Sequence, residues 1–384
     1  MTNPKVIVTV TNDLTHDQRV RKVCDSLMKL GYTPHLVGRK LFTSEPIERP
    51  YPIKRFRLIF KKGAVFYAEY NIRLFLFLLF KKYNRIHAND LDTLLAAYLG
   101  SRFRKKPLVY DSHEYFTEVP ELQDNPSAKR IWERIEEWIF PKLNEVITVN
   151  KSIATLYEKK YGGKVSVMRN IPEVKSKASK SKPLKSRKEL GLPEDKIILI
   201  VQGTGINMDR GNEELAEAMK HLDGFLLLII GSGDVLPMLK EKVEKDGLEN
   251  RVMFKDKMPY EELKQFTAVS DAGMSVDKDT NINYRFSLPN KLFDFIHAGI
   301  PSIVSDLPEV KRIVSNYEVG TVLSSHAPEV MAREIKAYMN PLIQSRKEGS
   351  ELFSALQLNL KEASKECMWQ NEAIVLEKIY SKSL

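Results

Sequence analysis

The chain has 384 residues, 43% of them hydrophobic, which is enough for two globular domains with separate cores. Its two cysteines, Cys24 and Cys367, exclude a disulfide framework and favour a reducing cytoplasm. The formal net charge is +10, but residues 1–190 hold 37 Lys and Arg against 20 Asp and Glu, while the remainder holds 23 against 30. This asymmetry predicts that the first half meets an anionic partner.

A membrane surface or a phosphorylated acceptor fits that charge better than nucleic acid, because no recognition helix, zinc finger or aromatic RNA-binding motif is present. Residues 1–10 lack the apolar core of a signal peptide and pass directly into a predicted strand. The longest apolar run, Leu74–Phe80, is too short to span a bilayer, and lysines follow it. It predicts either a helix on an anionic membrane surface or a helix packed into the core of the first half.

In the first half, short β-rich apolar runs alternate with helical patterns. The predicted strands are Val6–Val10, His35–Val37, Arg85–His87, Leu108–Asp111, Val146–Val149 and Val165–Met168. The helical patterns between them include Gln18–Leu30 and Ala128–Trp138. This alternation predicts a parallel sheet with helices on both faces.

The segment Ile171–Leu190 is rich in Lys and Ser and has no apolar face, so it predicts a solvated linker or long loop. Strands then resume at Ile197–Gln202, Leu226–Ile230, Val252–Phe254, Ala272–Val276, Ser302–Ser305 and Thr321–Leu323. Predicted helices include Asn212–Lys220 and Tyr260–Ala268. Two doubly wound domains facing one another would place the carboxyl ends of their strands around a shared cleft, where such folds bind ligands.

Glycine-rich loops follow the first two predicted strands of the second half. Gly203 and Gly205 allow backbone amides to approach a phosphate, which Arg210 could bind with two hydrogen bonds. The alternative is a tight turn followed by a surface arginine. Gly231 and Gly233 end the next strand and predict either a lining of the same cleft or a plain turn.

The segment Ser287–Pro301 carries helix signals at both ends. Pro289 is suited to the start of a helix, and Gly299 can end it in the left-handed conformation. The free N–H groups at the start form an anion site, to which Lys291 adds a full positive charge. Asp294 lies on the same face and could accept hydrogen bonds from sugar hydroxyls. A phosphate site and a hydroxyl acceptor one turn apart suggest a nucleotide-diphosphate ligand.

A polar cluster ends a predicted strand of the first half, in Tyr110–Phe116. The carboxyl ends of parallel strands face the ligand in such folds, so Asp111, His113 and Glu114 would point into the cleft. A neutral His113 imidazole could bond a sugar hydroxyl or stabilise developing charge. The alternative is a structural histidine.

Two Asp-x-Asp pairs, at residues 90–92 and 277–279, resemble magnesium ligands. Such pairs are expected by chance among 50 acidic residues, and Lys278 would oppose a cation, so we expect surface or structural roles. The sequence contains no Gly-x-Ser-x-Gly elbow, no His-Glu-x-x-His motif and no cysteine pair at zinc spacing.

The order of these segments resembles the group 1 glycosyltransferases, a large retaining family with the GT-B fold. The resemblance covers almost the whole chain and is strongest in four segments: Gly203–Gly211, Leu228–Asp234, Asn250–Phe254 and Ser287–Pro301. It implies an α/β fold of two Rossmann-like, doubly wound parallel-sheet domains facing a central cleft. Residues 1–172 would form the acceptor-side domain, with a last helix at 367–384 packing back on it. Residues 173–366 would form the domain that binds a nucleotide sugar.

Site residues also follow from the resemblance. It implies catalytic roles for His113, Arg210 and Lys291, and donor-binding roles for Gly203, Gly205, Gly231, Gly233, Asn290 and Asp294. Asp294 stands where a glutamate usually bonds the ribose. Phe286 stands where a second glutamate usually contacts the sugar, so that contact differs in this chain.

The implied reaction moves a hexose or related sugar from a nucleotide-diphosphate sugar to a hydroxyl of a glycan or lipid-linked acceptor, with retention and with neither metal nor other cofactor. The implied setting is the synthesis of cell-surface polysaccharide or glycolipid. Cysteine content, charge and the missing recognition motifs separately predict a cytoplasmic location, peripheral contact with an anionic membrane and no contact with nucleic acid. Two other functions fit the same residues: a sugar-nucleotide epimerase, and a non-catalytic nucleotide-sugar-binding protein, which the Phe286 difference suggests.

Overall fold

The computed structural model describes residues 3–15, 17–173 and 183–382. The chain divides into two compact units. Unit 1 consists of Met1–Glu173 and Trp369–Leu384, and unit 2 of Val174–Met368. The domain bounds expected from the sequence lie within two residues of these divisions.

Each unit is built on one parallel sheet. The strands are β1 Lys5–Asp13, β2 Thr33–Lys40, β3 Ile53–Arg57, β4 Arg85–Asn89, β5 Leu108–Ser112, β6 Glu145–Thr148, β7 Val165–Val167, β8 Ile197–Gly203, β9 Phe225–Gly231, β10 Val252–Asp256, β11 Ala272–Ser275, β12 Ser302–Ser305 and β13 Gly320–Leu323. The order is β3-β2-β1-β4-β5-β6-β7 in unit 1 and β10-β9-β8-β11-β12-β13 in unit 2. The direction of winding reverses between β1 and β4 and between β8 and β11, and doubly wound sheets bind ligands at such switch points.

Helices connect the strands. They are α1 Gln18–Lys29, α2 Gly63–Phe80, α3 Leu91–Arg104, α4 Pro120–Gln123, α5 Pro126–Ile139, α6 Lys151–Tyr161, α7 Asn212–Ala218, α8 Leu236–Lys245, α9 Tyr260–Val269, α10 Ile282–Arg285, α11 Asn290–Ala298, α12 Pro308–Tyr317, α13 Pro328–Glu348, α14 Glu351–Glu366, α15 Trp369–Glu372 and α16 Ile374–Ser381. The alternation of strand and helix expected from the sequence is therefore confirmed in both units.

The predicted strands are confirmed to within three residues at either end, but β3 was missed. In β3, Ile53 and Phe56 are mixed with three basic residues, so the apolar alternation is weak. Within the described part of the chain, β3 lies at the edge of its sheet and pairs with β2 alone. A strand with one neighbour needs little apolar surface, which explains the weak signal.

The predicted solvated linker Ile171–Leu190 is wrong at both ends. Ile171 is fully buried, and Leu190 is buried in the apolar core of unit 2. Arg187 donates hydrogen bonds to the carbonyl of Val269 and to the carboxylate of Asp271, the latter at 2.7 Å. The ends pack because their apolar residues join the cores of the units. Residues 174–182 lie outside the described residues.

The last helices belong to unit 1. Trp369 is 1% exposed, packs in a core cluster with Val20 and Val23, and donates its indole N–H to Ser26 Oγ at 2.9 Å. Glu372 accepts two hydrogen bonds from the Arg169 guanidinium, at 2.6 and 3.0 Å. The final segment is thus anchored by both apolar and ionic contacts.

Replacing Trp369 with alanine should therefore destabilise unit 1. Removing a buried tryptophan costs ~3–5 kcal/mol of unfolding free energy, measured by urea denaturation. The matched control is Trp138→Ala, since Trp138 is 46% exposed and its removal should cost about 1 kcal/mol or less. Equal losses in the two variants would contradict the anchoring role of Trp369.

Candidate active site

Helix α11 begins and ends where its sequence signals predict. Pro289 immediately precedes the helix, and Gly299 follows it with φ 73°, in the left-handed region. Asn290 is the first helical residue and is exposed. Among the described residues, no side chain caps the first turn. The N–H of Leu292 donates to the carbonyl of Pro289 at 3.2 Å, and the first two helical residues, Asn290 and Lys291, present their backbone at the positive end of the helix dipole, which attracts an anion.

A partly buried ion pair lies at the switch point of unit 2. Arg210 follows the β8 loop and Asp277 follows β11; Nη1 of the arginine donates to Oδ2 of the aspartate at 2.7 Å. Asp277 is 2% exposed, whereas the Arg210 side chain is 25% exposed. The guanidinium lies 4.1 Å from the ring centroid of Tyr284. Arg210 Nε is buried and has no hydrogen-bond partner among the described residues. The arginine is thus held by Asp277 and Tyr284, while a quarter of its side chain remains exposed.

Lys291 lies close enough to this pair for the charges of Asp277 and Arg210 both to affect its pKa. Burial lowers the pKa of its ammonium group, the charge of Asp277 opposes that change, and the charge of Arg210 adds to it. The net pKa is below the usual value of a lysine. An anion bound beside Lys291 and Arg210 would relieve the repulsion between them, which makes this pair of cations suited to a diphosphate.

Asp294 of α11 forms hydrogen bonds to residues of β8 and α9. Its carboxylate accepts a hydrogen bond from the Tyr260 hydroxyl at 2.6 Å and from Gln202 Nε2 at 3.2 Å. Gln202 in turn accepts from the Thr267 hydroxyl at 2.7 Å. Both carboxylate oxygens of Asp294 therefore have protein partners, and these bonds fix α11 against β8 and α9. A contact between Asp294 and a ribose remains a prediction.

The glycine loops pack backbone against backbone. A Cβ on Gly231 would lie 1.7 Å from the carbonyl oxygen of Gly203, and one on Gly233 would lie 1.9 Å from that of Ile206. Gly203 and Gly231 also have φ of 144° and 148°. Only glycine allows this approach, so Gly231 and Gly233 hold the two loops together. Gly205 is exposed, with nothing near its Cβ position, and is open to a ligand.

In unit 1, His113 lies at the carboxyl end of β5 in a charged network. Its backbone N–H and ring Nδ1 contact the Asp90 carboxylate at 2.8 and 3.1 Å. Its Nε2 lies 3.1 Å from Asn89 Oδ1 and 3.5 Å from Asp111 Oδ2. Arg19 donates two hydrogen bonds to Asp111, at 2.7 and 3.2 Å. Both ring nitrogens of His113 thus have partners within unit 1.

This network changes the expected charge of His113. Burial alone would lower its pKa, but the charges of Asp90 and Asp111 and their hydrogen bonds raise it more, to about 10. Burial would raise the pKa of Asp111, yet Arg19 and His113 hold it well below its usual range. The neutral imidazole expected from the sequence is therefore not the form that this environment favours. A protonated His113 can stabilise negative charge but cannot accept a proton.

Asp90 holds His113 at the cost of backbone strain. Its φ of 60° and ψ of 163° fall in a region that glycine normally occupies, which costs ~1–3 kcal/mol. The neighbouring Asp92 is buried and bonded to Thr11; burial and the charge of Asp90 raise its pKa to about 8. The two aspartates therefore have separate structural partners rather than forming a paired site.

Two family models match the chain. "Glycosyltransferase Family 4" matches residues 17–171, and "Glycosyl transferases group 1" matches residues 184–347. The chain belongs to the group 1 glycosyltransferases. The first match covers most of unit 1 and the second most of unit 2, including the candidate donor residues of α11 and the β8 loop.

Known proteins similar to this glycosyltransferase support the same fold. The chain is 25% identical over 275 residues to chitobiosyldiphosphodolichol beta-mannosyltransferase of Candida albicans, covering 64% of this chain and 58% of that protein. It therefore spans less than two thirds of that relative's length. Sucrose-phosphate synthase of Thermosynechococcus elongatus superposes with a TM-score of 0.74 at 16% identity, over 99% of this chain and 98% of that one. Anabaena HepE, solved in complex with UDP and glucose, superposes with a TM-score of 0.71 at 14% identity, over 99% of this chain and 100% of that one. The fold is GT-B, with two Rossmann-like domains.

Asp277 and Tyr284 position Arg210 in this glycosyltransferase, a specific role that sequence reasoning assigned to neither of them. Asp277, which we expected to have a surface or structural role, is buried and holds Arg210. Asp279 is exposed and pairs with Arg285 at 2.9 Å. The signal for Asp277 was available, since it comes directly after a predicted strand, at the end that faces ligands. Tyr284 had no comparable local signal.

The lowered pKa of Lys291 predicts a pH-dependent affinity for a nucleoside diphosphate such as UDP. A bound anion raises the lysine pKa, so binding is strongest below the pKa of the free protein and weakens as pH rises through it. We expect calorimetric affinity to fall as the pH rises, at pH values below the ordinary lysine pKa of about 10.4. Lys291→Arg is the control, because arginine stays charged throughout and should remove the fall. The same decline in both proteins would contradict the role of Lys291.

The Asp90 contact predicts a strongly raised pKa for His113. An NMR titration of the imidazole should show a value near 10 in the native protein and a large decrease in Asp90→Asn. The control Asp124→Asn alters an exposed aspartate of unit 1 and should leave the titration unchanged. Because the folded pKa exceeds the unfolded one, the stabilisation is full below about pH 6.5 and is lost as pH rises towards 10. A native His113 pKa near 6.5 would overturn the prediction.

Proposed function

We propose that this glycosyltransferase transfers a sugar, with retention of anomeric configuration, from a nucleotide-diphosphate donor to a hydroxyl of a lipid-linked or glycan acceptor. The observation that carries the proposal is the convergence of Arg210, Lys291 and the uncapped start of α11 at the switch point of unit 2. Two cations and a helix start match the charge of a diphosphate leaving group.

We infer the donor class from the negative charge that the site is suited to stabilise. When the bond between the sugar C1 and the β-phosphate oxygen breaks, negative charge develops on the diphosphate and positive charge on C1. Arg210, positioned by Asp277, and Lys291 would stabilise the developing anion. Removing one such contact typically costs ~3–4 kcal/mol of barrier. The UDP bound by HepE agrees with this donor class.

A lipid-linked acceptor is supported by the Candida relative, whose name specifies a dolichol-diphosphate glycan as its acceptor. The basic first half of the chain would attract such an anionic acceptor. The reaction would then contribute to glycolipid or cell-surface polysaccharide synthesis. We further propose a cytoplasmic location, because both cysteines are buried thiols that form no disulfide within the described residues. Recovery of the protein only from outside the cell membrane would contradict that location.

Retention is proposed from the resemblance to the retaining group 1 family, and the expected charge of His113 agrees with it. Inversion requires a base that takes the acceptor's proton on the face opposite the leaving group. A protonated His113 with a pKa near 10 cannot supply that base. In the proposed step, the acceptor oxygen bonds to C1 from the face that the diphosphate leaves, and the acceptor's proton passes to the departing phosphate oxygen.

We also propose that transfer needs no metal or cofactor, because Arg210 and Lys291 supply the charge that a divalent cation would otherwise supply. Activity should therefore persist when EDTA is added and should not rise when Mg²⁺ or Mn²⁺ is restored. Loss of transfer in EDTA with recovery in either metal would contradict this part of the proposal.

The decisive experiment is a panel of nucleotide sugars tested with lipid-linked and glycan acceptors, with the product's anomeric configuration read by NMR. A donor with an α-linked sugar should give an α-linked product. Arg210→Ala and Lys291→Ala should each lower kcat/KM ~100- to 1000-fold. The control is Arg346→Ala, which leaves its partner Asp271 paired with Arg187 at 2.7 Å.

Three results would contradict the proposal. A β-linked product from an α-linked donor would exclude retention. Full activity in both cation variants would exclude the diphosphate assignment. Conversion of the donor to an epimer without acceptor would replace transfer with epimerisation.

A further inference from the structure

Helix α2 carries apolar residues on more than one face, yet only one of its faces is buried. The buried row is Phe66, Tyr70, Leu74 and Leu78, each at most 5% exposed. On the outer side Ile72 is 61% exposed, Leu76 47% and Phe80 83%. The core-packed alternative for the run Leu74–Phe80 is therefore confirmed for one face of the helix, and the membrane-surface alternative stays a prediction. A solvated helix face normally carries charged or polar residues, and an exposed apolar row marks an interaction site.

The apolar surface continues onto α3. Phe103 near the end of that helix is 75% exposed, and its ring meets that of Phe75 at a centroid distance of 6.2 Å. Arg104 donates to the carbonyl of Leu79 at 2.9 Å, which fixes the two helix ends side by side. We call the exposed side chains of Ile72, Leu76, Phe80 and Phe103 the apolar face.

A second exposed apolar group lies at the start of α2. Ile59 is 76% exposed and Phe60 47%. Their backbone N–H groups donate to the Glu69 carboxylate at 2.9 and 3.0 Å, which holds the preceding loop against the helix. Arg73 pairs with the same carboxylate at 2.8 Å. The two charged residues of α2 are thus engaged with one another and with the loop.

The charges around the apolar face have one sign. Exposed basic residues stand at both ends of α2 and at the end of α3: Lys61, Lys62, Lys81, Lys82, Arg102, Arg104 and Lys105. From residue 54 to residue 89 the sole acidic residue is Glu69, and from 93 to 110 there is none. Apolar side chains rimmed by lysine and arginine complement the acyl boundary and headgroups of an anionic lipid surface.

By length and composition α2 is the one helix in the described residues that could cross a membrane. Its position between two strands of one sheet argues that α2 does not cross a membrane. It connects β3 to β4, which lies between β1 and β5. The buried Tyr70 hydroxyl also donates to the carbonyl of Val10 at 2.6 Å. A crossing helix would have to leave this sheet, whereas a helix lying along the surface would expose only its outer row.

We propose that unit 1 binds an anionic membrane peripherally, with the apolar face entering the lipid boundary and the surrounding lysines and arginines contacting the headgroups. This proposal does not rest on the transferase chemistry, because the face contains none of the candidate active-site residues. Its test needs no nucleotide sugar, so its failure and that of the proposed reaction can be told apart.

The test is co-sedimentation of the full chain with vesicles of phosphatidylcholine, alone or mixed with phosphatidylglycerol. Binding should require phosphatidylglycerol and weaken strongly when the salt is raised from about 0.05 M to about 0.5 M. Leu76→Glu should weaken partitioning about tenfold or more, since it removes apolar contact and adds repulsion. Lys81→Gln with Lys82→Gln should weaken it about thirtyfold at low salt.

Matched controls lie in unit 2. Leu358→Glu changes a leucine of α14 that is 59% exposed, and Lys245→Gln with Lys347→Gln changes two exposed lysines. Neither control should alter partitioning, and circular dichroism should confirm that all variants fold. Absence of binding at low salt, or equal effects of face and control variants, would overturn the proposal. A concentration-dependent dimer that Leu76→Glu disperses would also overturn it, by showing that a second copy covers the face.

Discussion

The buried carboxylate of Asp277 keeps a cation at the carboxyl edge of the unit 2 sheet. Without that partner, Arg210 would have little reason to lie at the end of β11, since it belongs to the loop after β8. The loop reaches β11 because Gly211 has φ 68° and a Cβ there would lie 2.0 Å from the carbonyl oxygen of Val276. Tyr284 then supports the guanidinium plane from one side. The position of the cationic site thus depends on one ion pair and one glycine.

The same reversal of strand order produces a different kind of charge cluster in unit 1. There Arg19 and His113 meet Asp111 and Asp90, so the cationic and acidic groups neutralise one another within the unit. In unit 2, Arg210 and Lys291 share Asp277 as their nearby acid, which leaves positive charge in excess. A surplus of positive charge suits an anionic ligand, whereas a neutralised network suits the fixed placement of one imidazolium.

Local signals predicted most of the architecture and part of the site. Pro289 and Gly299 predicted the bounds of α11 because helix ends depend on a few neighbouring residues. The strands of both sheets were predicted because buried parallel strands are nearly continuous apolar runs. The edge strand β3 was missed because its apolar residues are mixed with basic ones.

The contacts within the site were not predicted. The bond from Arg210 to Asp277 joins residues 67 positions apart, and the bond from Tyr260 to Asp294 joins residues 34 positions apart. Such pairings arise from tertiary packing, which local patterns do not encode. The protonation of His113 was also missed, because it depends on Asp90 reaching the imidazole from the preceding strand.

The most direct measurement is a crystal structure of the protein with a bound nucleoside diphosphate, chosen as the one of UDP, GDP and ADP that binds in a titration. Its diphosphate oxygens should lie within hydrogen-bonding distance of Arg210, Lys291 and the first backbone N–H groups of α11, and the Arg210–Asp277 pair should remain intact. A diphosphate bound away from the start of α11, or contacted by neither cation, would contradict the assignment of this site.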